Sequence, residues 1–563
     1  MAQENNYSKV DLRVGTEAQF NAKVDTLPAG TLFGVTDATV SKADLSTDLK
    51  NEINGKINKP ANPTEDSIVS ISSTGAVSAK SFEVYVGQDL PTGNNVRIWI
   101  DPTENDPTVE YGIKWTVGAS SPIGTRVKRI NGEISTWDIT YTPNVGSVNY
   151  NAFDHIDLFN PPVITDDFGN KFTRFSKFYW AKETIGNEEY IWVCKVKLRN
   201  IYHLPRAFQD YGTNWTYVDI GCYEASNETV GGTTYLCSKS GKYPQTTTTR
   251  TNFYNYAKNN NTRSGLTENA KYLITTMSEW NEIIMPLMMI VYGTRNTQNI
   301  YNGVISLDTT SYSVAAYDKT TKTIYFATDK RSSYKVGNCF ALNSSSSLSQ
   351  YRTITENGTV VGSISNNVFT PSTSGTTYYY IKTDGDLIDN LTTVQIRPNP
   401  TGFTDSIKSE SGTSTNDDKG SFKFMNIENI YGNTWTNILD CTVKDYKSYV
   451  CMDLNNWSDV DPTTNSSFEA VSYTNASSGG YAKTMGWDSN HPDVQITTEI
   501  GGSSATYYSD YYYQNSGVRT TFAGGALHDG SNAGLFCWSL GVGLGSAYWY
   551  VGGRLSRRIL VGG

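Results

Sequence analysis

The chain of 563 residues is expected to fold as an α+β protein of several domains. Three observations predict this. Thr, Ser, Asn and Gly are abundant, and Tyr outnumbers Phe and Trp by 38 to 20 and 12, a composition that favours strands and polar surfaces. Apolar residues alternate with period two in many short segments. A few segments instead show helical spacing.

The N-terminal segment, 1–62, contains one of the helical stretches. From Ala43 to Ile57, the residues Leu45, Leu49, Ile53 and Ile57 share one helical face. One amphipathic helix of this length is marginal alone. It is expected to pack against copies of itself, a host structure or its own chain, as an attachment and oligomerisation element. Lys59-Pro60-Ala61-Asn62-Pro63 then reads as a linker.

Residues 63–149 read as a β-rich neck. Ser67–Ser72 alternates, Ser73-Thr74-Gly75 turns, Phe82–Val86 alternates again, and Val96–Ile100 is a further strand. Isolated strand pairs are unstable, so this region too favours assembly of several chains.

From residue 150 to 305 the signals mix. Phe172–Trp180 is strand-like, whereas Asn252–Lys258 and Glu268–Tyr292 read as helices, with Pro286 beginning or kinking the second. Residues 306–418 change texture to Thr, Ser, Asn and Tyr, with strands at Thr323–Ala327 and Tyr378–Ile381, a turn at Asp384-Gly385 and a loop at Ser411–Gly420. This block reads as a β-rich insertion. The mixed texture resumes over 419–563, which makes 150–305 and 419–563 two parts of one discontinuous domain.

Composition excludes several functions. Net charge is -9 and the pI is near 5.2, which argues against nucleic acid as a bulk electrostatic partner. Arg554, Arg557 and Arg558 read as a local capping or pairing group. Mean hydropathy is -0.43, and no stretch approaches the roughly 20 apolar residues of a bilayer span, so no membrane insertion is expected. Met1–Asn6 shows no basic-then-apolar secretory pattern. The seven cysteines are dispersed, odd in number and without a CxxC pair, and read as buried free thiols. The four histidines have no ligand spacing, and no metal or cofactor is expected.

The C-terminal stretch is the most informative. Between Gly524 and Leu555, large apolar residues and glycines alternate with positions of no shared chemistry. Gly524, Gly525, Gly534, Leu535, Phe536, Trp538, Leu540, Trp549, Gly552, Gly553 and Arg554 read as a frame. Leu527, His528, Asp529, Ser539, Gly541, Val542, Gly543, Leu544, Ser546, Tyr548 and Tyr550 read as displayed positions. Two alternatives stay open. Tyr548 and Tyr550 could pack inward with Trp549 outward, and Gly541 and Gly543 could be turn residues with positive φ. Ala526, Ser531 and Cys537 are weaker candidates.

Three segments in order, Glu428–Trp435, Gly501–Asn515 and Gly524–Leu555, resemble the C-type-lectin-fold variable proteins diversified by retroelements. The resemblance covers roughly 150–305 and 419–563 and is strongest over the final segment, with variation centred on about 524–551. It implies a C-type-lectin-like domain, shared with formylglycine-generating enzymes, behind a fibrous N-terminal region. It implies a receptor-binding protein of a phage tail fibre or tail tip, located in the virion, that attaches the particle to a bacterial surface receptor, protein or glycan. A homotrimer that joins other tail or baseplate proteins through its N-terminus is expected. The resemblance also implies a source for the mixed chemistry. Such retroelements mutate template adenines, turning AAY codons into any NNY codon, and every displayed residue named above has an NNY codon. Trp538 and Trp549 have a codon without adenine and would stay fixed.

Rival functions are a bacterial surface ligand-binding protein, a glycan depolymerase and an oxidase related to formylglycine-generating enzymes. The oxidase needs a cysteine pair, whereas Cys537 stands alone in its segment. The depolymerase needs two carboxylates at a set separation. The expected function is binding, without catalysis.

Overall fold

The structure, a computed structural model, describes residues 107–139, 153, 156–407 and 420–561, together with the backbone of short strands outside them. The chain divides into two compact units, Met1–Thr103 and Glu104–Gly563. In the first unit, Arg13–Gly15 pairs in parallel with Phe33–Val35, Ser70–Ile71 antiparallel with Val77–Ser78, and Glu83–Val86 in parallel with Val96–Ile100. The helix expected over 43–57 and the linker at 59–63 lie outside the described residues.

The α+β expectation is overturned. Strands make up 40% of the structure and helices 12%, so the protein is mostly β. The reason is visible in the expected helix over 268–292. Its first part, Ala270–Ile274, is a strand that pairs antiparallel with Arg554–Ile559. Only the continuation coils, as a π-helical turn over Glu279–Ile284 and an α-helix over Met285–Tyr292. Pro286 lies where the π-helical turn gives way to the α-helix, inside one continuous helical run, and Gly293 ends the run in the left-handed region at φ 69°. The other described α-helix, Arg250–Asn259, begins where the Thr249 hydroxyl accepts the Asn252 N–H.

In the second unit, Glu110–Thr116 pairs with Glu188–Cys194 in one five-stranded sheet. Glu110–Thr116 therefore shares a sheet with strands beyond residue 150, and the compact unit starts at Glu104. Strands between Tyr312 and Arg397 form an eight-stranded sheet of their own. Its inner face is not separate from the rest. Leu307, Phe340, Val394 and Ile396 share one hydrophobic cluster with Ala526, Leu527, Cys537 and Val551.

A nine-stranded sheet carries the C-terminal segment. Val518–Gly524 lies between Trp435–Lys444 and Gly534–Leu540, antiparallel to both. Tyr511–Gln514 runs parallel to Gly534–Leu540 on the other side. Beneath the sheet, the Trp280 indole donates to the Leu535 carbonyl at 2.8 Å and its ring lies 6.1 Å from that of Trp538.

The last strand, Arg554–Ile559, inserts between Tyr217–Glu224 and Ala270–Ile274. Its arginines are buried and partnered. Arg554 donates to the carbonyls of Gly221, Glu428 and Asn429. Arg557 pairs with Asp219 at 2.9 Å and also with Glu268. Arg558 pairs with Asp210 at 2.6 Å and also with Glu279. The partners are distant in sequence, so this group locks the end of the chain onto its middle.

Glu224 sits below the C-terminal segment, fully buried, and accepts hydrogen bonds from Asn433 and Thr434. Burial pushes its carboxyl up to about 7, against those hydrogen bonds. The folded protein then holds a proton that the unfolded chain releases near the ordinary glutamate value. Stability from this group is complete below that value and is lost as pH rises toward 7. The loss is expected to be on the order of 2 kcal/mol across that window. Urea unfolding between about pH 4.5 and about pH 7.5 checks this, and Glu224→Gln should flatten the slope.

Candidate functional site

The period-two register of the nine-stranded sheet builds one face of the site. Tyr512 is paired with Trp538, and Trp538 with Ala523, so these three share the buried face. Tyr513 is paired with Ser539, and Ser539 with Phe522, so these occupy the opposite face, which Tyr511 shares. That face is the wall of a cleft of about 460 Å³. Trp435, Gly479, Tyr511, Tyr513, Gln514, Asn515 and Phe522 line it together with His528, Asp529, Ser539, Gly541, Val542, Tyr548 and Tyr550.

Seven of the eleven positions expected to be displayed thus come together in one concavity; the exceptions are Leu527, Gly543, Leu544 and Ser546. Gly543, Leu544 and Ser546 are half-buried beside it. Leu527 requires correction. It is 0% exposed and packs in the cluster shared with Leu307 and Phe340, because the insertion covers the side on which it would have faced solvent. The Leu307 N–H donates to the Leu527 carbonyl at 2.7 Å and seals that contact.

The expected frame residues Leu535, Phe536, Trp538 and Leu540 are buried, as are Gly524, Gly525, Gly534, Gly552, Gly553 and Arg554. Trp549 is intermediate. One side of it faces the insertion, where the Arg397 guanidinium lies 4.4 Å from its ring centre, and the other meets His528 at 5.7 Å. Arg397 is itself buried and is held by carbonyls that include that of Ser345 at 3.1 Å.

Main-chain bonds hold the rim of the cleft. Thr247 N–H donates to the Tyr548 carbonyl, Trp435 N–H to that of Tyr550, and Thr520 N–H to that of Val542. The Asn515 amide donates to the Gly541 carbonyl at 2.7 Å. Leu527 N–H donates to Asn433 and Gly530 N–H to Ile305. The main-chain bonds do not use rim side chains and persist when those side chains are replaced, whereas the Asn515 amide on Gly541 and the Ser546 hydroxyl on the Gly543 carbonyl are side-chain bonds.

The glycines divide in the same way. A Cβ on Gly525 would lie 2.7 Å from the Ala533 Cα, at a φ of +80°. One on Gly524 would meet Trp280 at 3.2 Å, at a φ of +94°. Gly541 and Gly543 lack positive φ, and their nearest neighbours would lie 3.5 and 4.0 Å away. The turn-residue alternative for these two does not apply. Gly525→Ala is expected to cost more than about 1 kcal/mol, whereas Gly541→Ala and Gly543→Ala stay within ~0.5 kcal/mol of the parent. Thermal unfolding of the three variants measures the contrast.

Aromatic rings dominate the walls. Tyr548 and Tyr550 stack at 5.3 Å with an 8° interplanar angle, and Tyr548 is 37% exposed. The alternative with both tyrosines turned inward is not adopted. His528 meets Tyr550 edge-on at 5.1 Å. Tyr511 and Tyr513 lie 4.6 Å apart, and Trp435 meets Tyr513 at 5.9 Å. Asp529 accepts the Ala526 N–H at 2.7 Å and is the one carboxylate among the lining residues. Burial raises its carboxyl above the usual range, and the neighbouring His528 opposes this. Burial also raises the Tyr513 and Tyr550 phenols, and Asp529 adds to both shifts. Cys537 lies behind the wall, with its thiol pushed well above the ordinary value by burial. All seven cysteines are free and buried.

No protein-family model matches the chain, and no curated protein matches it.

Sequence reasoning missed the wall formed by Trp435, Tyr511, Tyr513, Gln514, Asn515 and Phe522. The signal was the alternation in Tyr511-Tyr512-Tyr513, which puts the first and third rings on one face. The face itself is decided by the parallel pairing with Gly534–Leu540, and a distant strand pairing has no local signature.

Proposed function

We propose that this protein is a receptor-binding protein of a phage tail fibre or tail tip, acting as an adhesin through the cleft at its C-terminal end. One observation carries the reading: residues without a common chemistry converge on a concave aromatic surface whose backbone is held largely by main-chain bonds. Such a surface can be re-specified without unfolding its support. Tyrosine suits this role, because it supplies a large contact with few rotatable bonds. The pattern fits the resemblance to retroelement-diversified variable proteins and a place in the virion.

Binding without turnover is favoured over glycan hydrolysis, because Asp529 has no second carboxylate beside it among the lining residues. In this reading the N-terminal region joins other tail proteins and three chains form the fibre end. Several weak sites would then act together, with an avidity gain of roughly 10²–10⁴.

The genomic DNA around the coding region tests the diversification. A near-copy of the 3′ end, differing at adenines and beside a reverse transcriptase gene, is expected. A flanking region with neither would contradict that mechanism. The labelled full chain should also coat a restricted set of bacterial strains; uniform coating of all strains, or of none, counts against a host receptor.

A further inference from the structure

The cleft pairs two features. Its walls are aromatic, with Trp435, Tyr513, Tyr548 and Tyr550 around the sunken Asp529. No lysine or arginine lines it. Asp529 is partly buried, and carboxylates drawn out of water are normally paired with a cation or bonded to several donors. Asp529 has the Ala526 N–H and the Trp435 side chain, while His528 faces it from the exposed rim. Ring faces carry negative potential and attract cations, most strongly in a desolvated setting. Trp549, next to this wall in sequence, already carries one cation, because Arg397 lies 4.4 Å from its ring centre.

We propose that, with the residues this chain carries, the cleft takes an alkylammonium group presented by the receptor, held against the aromatic walls beside Asp529. This rests on the reading of the cleft as the receptor site and adds the ligand chemistry. A neutral sugar would find stacking faces here but no use for the single sunken charge. An anion would meet Asp529 with no lining lysine or arginine to offset it. The volume of about 460 Å³ admits a bulky quaternary head as well as a primary amine. Other residues at 528, 529, 548 and 550 would select other chemistry, so the specificity belongs to this set of side chains and the frame stays the same.

The probes are choline and its neutral isostere 3,3-dimethylbutan-1-ol, titrated into the full chain and followed by tryptophan fluorescence. Methylamine is a third arm that separates primary from quaternary preference. Choline or methylamine is expected to bind at least about tenfold more tightly than the neutral alcohol. Asp529→Asn, which keeps an acceptor for the Ala526 N–H, should bring charged and neutral probes within about twofold. Tyr548→Leu, at an exposed position, should weaken the charged probes selectively and leave thermal unfolding unchanged. Equal binding of choline and the alcohol, selectivity that survives Asp529→Asn, or binding of no probe would each overturn the proposal. Cell coating separates this from the broader reading. If Tyr548→Ala with Tyr550→Ala abolishes coating while Asp529→Asn and excess choline leave it intact, the cation inference fails and the receptor site stands. If none of these changes coating, both fail.

Discussion

Replacing Tyr548 and Tyr550 together with alanine is expected to reduce coating of susceptible cells by at least about 30-fold, the effect of removing a central aromatic contact worth ~2 kcal/mol. The two rings stack at 5.3 Å and form one wall of the cleft. Their removal deletes contact area and one side of the concavity at once. The fold should tolerate the change. Both residues contribute carbonyls to the frame, accepting from Thr247 and Trp435, and alanine supplies the same carbonyls. Tyr548→Ala alone is expected to shift stability by no more than ~0.5 kcal/mol. Flow cytometry of cells with labelled protein, alongside thermal unfolding, separates the two effects. Loss of coating with parallel loss of folding would mean that the tyrosines are support and not contact.

The largest stability effect is expected at Arg558, in the last strand. Arg558 is buried, with Asp210 at 2.6 Å, Glu279 also paired to it and its Nε–H donating to Asp210 at 2.9 Å. Arg558→Ala would leave two carboxylates buried without this guanidinium. Breaking a buried pair from one side costs about 3–5 kcal/mol. The cost should fall sharply when Asp210→Asn and Glu279→Gln accompany the change, because the penalty comes from uncompensated charge and not from lost attraction. Removing Lys319 from its exposed pair with Asp389 should leave stability unchanged. Urea unfolding of the four proteins tests this. A mild effect of Arg558→Ala alone would show that the last strand is not locked in the way described.

The division of the C-terminal segment into frame and rim was legible where the strand Gly534–Leu540 alternates, over its last three residues. Trp538 and Leu540 are buried, and Ser539 lines the cleft. The spacing of Gly524 and Gly525 was legible for a similar local reason, since only glycine is comfortable at their φ values. Leu527 was misread because the surface that buries it comes from the insertion, more than two hundred residues earlier in the chain at Leu307. Ala270–Ile274 was read as helix because its apolar run suits either state, and its strand partner Arg554–Ile559 lies at the far end of the chain. The arginines of that last strand read as a local group. Their partners are 348 and 279 residues away for Arg558. In each case local pattern set the periodicity and non-local pairing chose the outcome.

The most direct test is a library of the full chain with single substitutions at the rim, His528, Ser539, Gly541, Val542, Tyr548 and Tyr550, and at the frame, Gly525, Phe536, Trp538 and Leu540, scored in parallel for folding and for cell coating. Rim substitutions should keep folding and change or abolish coating, while frame substitutions should lose both together. If rim and frame lose folding alike, or if rim substitutions leave coating on the same strains unchanged, the cleft is not a receptor surface carried on an independent frame.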